Sequence, residues 1–186
     1  MKSTLALHLF PTRSIARDAG LILAGTALTA LCAQITIPFF PVPFTLQTFA
    51  VLLTAFALGS RRGFLAQLAY IVAGIAGAPI FSGWTGGIGH LVGPTGGYLV
   101  GFAVAAWLVG GFAERGWDRK FLLSVAAMAL GSAVILAFGT AWLALFLGWD
   151  RAFWAGMAPF AISDVVKCIA ASIALPIAWQ FTGRKA

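Results

Sequence analysis

Charge is what this sequence has least of. Only 9% of its 186 residues are Asp, Glu, Lys or Arg, against roughly 25% in a soluble domain, so a water-facing globular surface is excluded. Acidic side chains are scarcer still, 5 against 12 basic ones. Cysteine is limited to Cys32 and Cys168, both inside apolar segments where the side chain packs as a small hydrophobe. Their spacing matches no metal motif, and no metal or cofactor is expected. There is no Gly-Lys-Ser or Gly-Lys-Thr, hence no phosphate-cradling loop and no means of hydrolysing ATP within the chain. HExxH, GxSxG and CxxC are missing too, which leaves an enzyme reading without a nucleophile and its base. A signal peptide is not expected, because Leu5 to Phe10 is short and is broken by Pro11 and Arg13 before any small-residue cleavage site. That stretch reads as an interfacial or frayed lead-in.

What fills the sequence is apolar. Hydrophobic residues make up 61% of it and the mean hydropathy is +0.97, so the bilayer is the solvent to reason in. Apolar blocks separated by Pro, Gly and basic residues run over 15–33, 44–58, 64–78, 96–112, 121–147 and 157–181. At about 20 residues per span, six spans use up the chain. The expectation is an all-α integral membrane protein, a six-helix bundle forming one domain over residues 1–186. The fifth block is long enough to tilt or to include a turn near Gly139.

The basic residues set the orientation. Lys2, Arg13, Arg17, Arg61, Arg62, Arg115, Arg119, Lys120, Arg184 and Lys185 fall at the two ends and in alternate connections. This is the pattern that the positive-inside rule produces, and it places both termini in the cytoplasm. A nucleic-acid reading of the net charge of +7 needs cations gathered on a water-facing surface, and these sit singly or in pairs between apolar blocks. They suit anionic lipid headgroups or a protein partner. Three connections, 34–43, 79–95 and 148–156, then face outward. The first carries Pro38, Pro41 and Pro43, which exclude a regular helix; the second is dense in glycine. Irregular backbone near membrane depth survives only where protein covers it or where it lines a cavity, so these loops are expected to cover a pocket at the outer face.

Within the spans the clear ionisable pair is Asp164 and Lys167, three residues apart and so on one helix face. Each charge costs about 2.5–3.5 kcal/mol at a helix centre, and something must compensate. One reading is an intrahelical ion pair that serves the bundle alone. The other, favoured because intramembrane charges are functional by default, is a donor-and-acceptor pair for a small polar ligand: Asp164 accepts N–H groups and Lys167 donates to an oxygen. Ser163 is placed to assist. Gln34, Thr45, Gln47, Thr48 and Gln67 are further polar residues in apolar surroundings, where a helix-to-helix hydrogen bond is as good an account as a ligand contact. Phe39, Trp84 and Tyr98 suit either a pocket wall or an interface anchor. His90 reads as a surface group, and Gly97 with Gly101 as a close helix approach.

Three motifs together, Phe44-Thr45-Leu46-Gln47-Thr48 after the proline loop, the run Gly93-Pro94-Thr95-Gly96-Gly97-Tyr98, and Asp164-Val-Val-Lys167, resemble the BioY family, biotin-binding S components of energy-coupling factor (ECF) transporters. The resemblance covers nearly the whole chain. It implies a six-helix capture protein in the cell membrane that binds biotin from outside and works with a transmembrane coupling protein and a pair of ATPases. By position it makes Asp164 and Lys167 the ligand-binding pair, with Gln47 and Tyr98 next. Biotin's ureido ring offers two N–H donors and a carbonyl, and its valerate a carboxylate; Lys167 suits either oxygen site. S components often carry an Ala-xxx-Ala docking face on the first helix, and here the spacings are looser, Ala16/Gly20/Ala24 and Thr26/Ala30. Two alternatives stay open: an S component for another small vitamin, and a structural membrane subunit without ligand.

Overall fold

The computed structural model describes residues 4–12 and 14–181; Lys2, Arg13, Arg184 and Lys185 lie outside the described residues. Helices α1 (Leu5–Leu9), α2 (Ile15–Gln34), α3 (Gln47–Leu58), α4 (Ser60–Ile75), α5 (Gly89–Val92), α6 (Gly96–Glu114), α7 (Phe121–Leu147), α8 (Trp149–Ala152) and α9 (Ala158–Phe181) account for most of it. Among the described residues, four stretches are long and apolar enough to cross a membrane: Ile15–Gln34, Gly96–Glu114, Phe121–Leu147 and Trp149–Ile169. At ~1.5 Å per residue, α3 and α4 are shorter than a ~30 Å hydrocarbon core.

Helix α6 is the centre of the bundle. In its apolar window 67% of residues are buried, against 17% for α2, and it packs on α3, α4 and α7. Lipid tails are as apolar as leucine, so close packing of small residues drives helix association here. The Gly97/Gly101 pair does this: a Cβ on Gly101 would lie 3.0 Å from the Ile135 Cα, and one on Gly97 would strike Phe138 and Trp142 of α7. Gly63 seats α4 on Ala55 of α3 in the same way.

The end of the bundle that holds the α2 N-terminus carries most of the charge. There α3 turns into α4 through Gly59 alone, at φ 84°, a backbone conformation that favours glycine. Gly59 has no side chain to cap α4, and Glu114 of α6 supplies one, accepting from the Ser60 amide at 2.9 Å and the Ser60 hydroxyl at 2.8 Å. Asp18 lies between two guanidiniums, 2.6 Å from Arg17 and 2.8 Å from Arg62.

Three local expectations are corrected. The lead-in is not frayed: α1 packs on α3, with Ala6 buried beside Leu58 and Ala66. Arg61 and Arg62 lie in the first turn of α4 rather than in a connection. The fifth block is one continuous helix through Gly139, where the missing side chain makes room for the Tyr98 ring instead of a turn. The two long loops are irregular over most of their length, with short ordered parts. The proline loop is framed by an antiparallel pair, β1 (Thr36–Ile37) and β2 (Phe44–Thr45), with Thr36 opposite Thr45, and the glycine-dense loop holds a bridge between Phe81 and Thr85 as well as α5.

Candidate functional site

Between these loops and the helices beneath them lies a cavity of about 470 Å³, within the ~300–1,000 Å³ range of small-molecule sites. Pro41 to Pro43, Thr45, Gln47 and Thr48 line it from the first loop and α3, Phe81, Ser82 and His90 from the second loop, and Tyr98, Leu99, Phe102, Leu136, Phe160 and Lys167 from α6, α7 and α9. Most of these surfaces are apolar, and the polar groups are few.

The loops are fixed by neutral polar side chains at the helix ends. The Gln34 amide donates to the Ile80 and Phe81 carbonyls at 3.4 and 3.1 Å and accepts from the Trp84 amide at 2.9 Å, which ties the second loop to the end of α2. The Gln47 Nε2 donates to the Tyr70 hydroxyl at 2.6 Å, and Tyr70 in turn donates to the Ile80 carbonyl. Ser82 donates to Thr36 and so joins one loop to the other. Beneath them Phe81 is 2% exposed and packs into the notch that Gly74 leaves. On the other wall Phe44 stacks on Phe160 at 4.2 Å, with Phe39 edge-on to Phe44 at 5.0 Å.

The ion pair sits under the cavity. Lys167 Nζ lies 2.9 Å from Asp164 Oδ1 and donates to the Thr48 hydroxyl at 3.0 Å, and Thr48 donates to the same carboxylate oxygen at 3.1 Å. Ser132 of α7 donates to the other oxygen at 2.5 Å. A carboxylate accepts about four hydrogen bonds and an ammonium donates three, so each group keeps capacity beyond these contacts. The Lys167 side chain forms part of the wall; Asp164, at 3% exposure, lies directly behind it. The attraction within the pair and the hydrogen bonds from Thr48 and Ser132 oppose the desolvation of the two charges, and the ammonium leaves an N–H donor at the cavity wall.

Of the residues singled out by sequence, Lys167, Gln47, Tyr98, Thr45 and Thr48 come together at this cavity. Gln34 serves the loop, and Gln67 is buried in a hydrogen bond with Thr29 of α2. Ser163 is turned onto the Phe160 carbonyl. Tyr98 contributes its ring to the wall while its hydroxyl donates to the Gly156 carbonyl at 2.7 Å, in the π-helical turn Phe153–Met157 that leads into α9. Trp84 is 66% exposed and does not line the cavity. His90 is corrected: it lines the cavity, its ring 4.9 Å from that of Phe81. Sequence reading missed Tyr70 and Ser132, polar residues set in apolar runs, and that setting was the available signal.

A helical membrane bundle with a ligand-sized cavity at one end and a buried ion pair on its wall is the class that this geometry defines. The chain belongs to the BioY family, whose model matches residues 1–184. It is 42% identical over 158 residues to the probable biotin transporter BioY of Pyrococcus horikoshii, covering 85% of this chain and 93% of that protein. It is 41% identical over 156 residues to the biotin transporter BioY of Thermotoga maritima, covering 82% and 91%. Its fold matches the crystal structure of an S-component for biotin from an ECF-type ABC transporter, with a TM-score of 0.78 at 20% identity over 93% of this chain and 96% of that one.

Proposed function

We infer that this chain is the membrane-embedded substrate-capture component of a biotin uptake system, a transporter subunit and not an enzyme. The observation that carries the reading is a mostly apolar cavity that exposes Lys167, in a chain 42% identical to a biotin transporter. Biotin suits such a site: its bicyclic ring is apolar on its faces, its ureido group offers two N–H donors and a carbonyl, and its tail ends in a carboxylate. Lys167 meets an oxygen of the vitamin, Asp164 behind it accepts an N–H on Oδ1 once the ligand draws the ammonium aside, Gln47 holds the α3 wall in place, and Tyr98 packs against the ligand. Because the chain carries no ATP-binding loop, inward delivery depends on an ECF coupling protein with its ATPase pair. The side of α2 that holds Ala16, Gly20 and Ala24 is exposed, while Thr26 is bonded to Ala66 of α4, so the first of the two small-residue spacings is the one open to the coupling protein.

The chain works as one domain over residues 1–186 in the cell membrane, a multi-pass protein of six spans built on α2, α3, α4, α6, α7 and α9. Arg61, Arg62, Arg115, Arg119 and Lys120 gather at the end opposite the cavity, and the positive-inside rule assigns that end, with both termini, to the cytoplasm. The loops over the cavity then face outward, where the vitamin arrives. Single cysteines at Lys120 and Trp149 test this in intact cells: an impermeant maleimide is expected to label only the second, and labelling of only the first would reverse the orientation.

The decisive test is equilibrium binding of labelled biotin to the detergent-purified protein, with a panel of other small vitamins as competitors. Biotin alone is expected to displace the label at submicromolar concentration. Displacement by another vitamin at lower concentration would assign the cavity to that vitamin.

A further inference from the structure

Ser132 lies in the middle of α7, in an otherwise apolar stretch, and is 5% exposed. A serine hydroxyl has one proton to donate, and within a helix it commonly goes to a carbonyl one turn back. Here it goes instead to Asp164 Oδ2 at 2.5 Å, the short range of a hydroxyl on a carboxylate. The other oxygen, Oδ1, takes Thr48 of α3 and Lys167 of α9 itself. Helices α3, α7 and α9 thus meet at one carboxylate. The arrangement is layered: Lys167 and Thr48 reach the cavity wall, whereas neither Asp164 nor Ser132 lines it.

We propose that Ser132 is a positioning residue for ligand capture, one that sets affinity without touching the ligand by anchoring the far oxygen of Asp164. With Oδ2 pinned to α7, the carboxylate is kept from swinging about its terminal torsion, and Oδ1, with the Thr48 hydroxyl, holds the Lys167 ammonium at the wall. Without that anchor the carboxylate turns both oxygens toward the ammonium and draws it back from the cavity. Helix α7 is a rigid base for such an anchor. A side chain on Gly131 would meet Leu52 of α3 and Val109 of α6 at 2.5 Å, and Ile135, one turn on, lies against Gly101 of α6. A site held by locked supporting groups keeps its geometry where a loose one loses it. The proposal rests on the biotin reading for the identity of the ligand, and on the structure alone for the link between Ser132 and Asp164.

The test compares wild type, Ser132→Ala and Ser132→Thr in two measurements on purified protein: biotin affinity, and the infrared carboxylate band of Asp164 without ligand, assigned by its loss in Asp164→Asn. Loss of a hydrogen bond to a charged group is expected to weaken binding about tenfold or more in Ser132→Ala and to shift the band, and Ser132→Thr, which keeps the hydroxyl, restores both. Wild-type affinity in Ser132→Ala overturns the proposal. So does weakened binding with an unshifted band, since the loss would then come from packing. If wild type binds no biotin while the band still shifts, the ligand assignment falls and the anchoring of Asp164 stands.

Discussion

The two ends of the bundle handle polar groups in opposite ways. At the charged end, Asp18 pairs with Arg17 and Arg62 while 37% of its side chain stays exposed. At the loop end the supporting side chains are neutral, Gln34, Gln47 and Tyr70, and the ion pair near them is sunk in the bundle, with the side chains of Asp164 4% and Lys167 14% exposed. Water and counterions screen the first cluster, and such exposed pairs contribute little to stability. In the second, removing one partner strands a charge in a medium that cannot solvate it. An arrangement so costly to disturb, placed beneath a cavity rather than at an interface with water, supports the proposed ligand role over a merely structural one.

The sharpest way to break this comparison is Lys167→Ala. It leaves Asp164 without its counterion, and the expected outcome is loss of biotin binding together with about 3–5 kcal/mol of stability, read by ligand titration and by thermal unfolding in detergent. Replacing both charges, Asp164→Leu with Lys167→Met, is expected to recover the stability and not the binding; if binding returned as well, the pair would be structural. A smaller effect is expected from Gly139→Ala, whose methyl would collide with the Tyr98 ring. Overpacking of this kind costs about 1–3 kcal/mol and pushes the Tyr98 ring into the cavity, weakening binding. Gly111→Ala, with nothing within 4 Å of the added carbon, is the control: it should leave binding unchanged and cost no stability, since alanine is favoured over glycine inside a helix by about 0.5–1 kcal/mol. Gln47→Leu comes next: it deprives Tyr70 of a donor and Thr45 of an acceptor, for about 1 kcal/mol and a modest loss of affinity. At the charged end, Asp18→Asn is expected to leave affinity unchanged and to move the unfolding midpoint only at low salt, because exposed charges are screened. A large drop in biotin affinity from that variant would dissolve the distinction between the two ends.

Much of this was legible in the sequence because the bilayer imposes simple rules. Apolar runs located the helices, with 121–147 matching α7 at both ends, and prolines at 38, 41 and 43 marked a non-helical loop. What escaped was packing at the level of single side chains. Gly139 reads as a place where the long fifth block could turn, yet it is a notch for Tyr98, and nothing local says which glycine does which. Gln47 and Gln34 look alike in sequence; one stands at the cavity wall and the other clamps a loop, a difference decided by partners 23 and 47 residues away. Ser132 gives only the general signal of a polar residue in an apolar run, since what singles it out is a carboxylate 32 residues further on. Asp164 and Lys167 were found at once, because two charges in an apolar run violate the rule that the rest of the chain obeys.

The most direct test of the account is titration of biotin into purified wild type, Lys167→Ala and the apolar double variant, each checked for folding by its thermal transition. Submicromolar binding by wild type, lost in both folded variants, is the expected result. Binding of biotin by the folded double variant as tightly as by wild type would contradict the assignment of the buried pair to ligand capture.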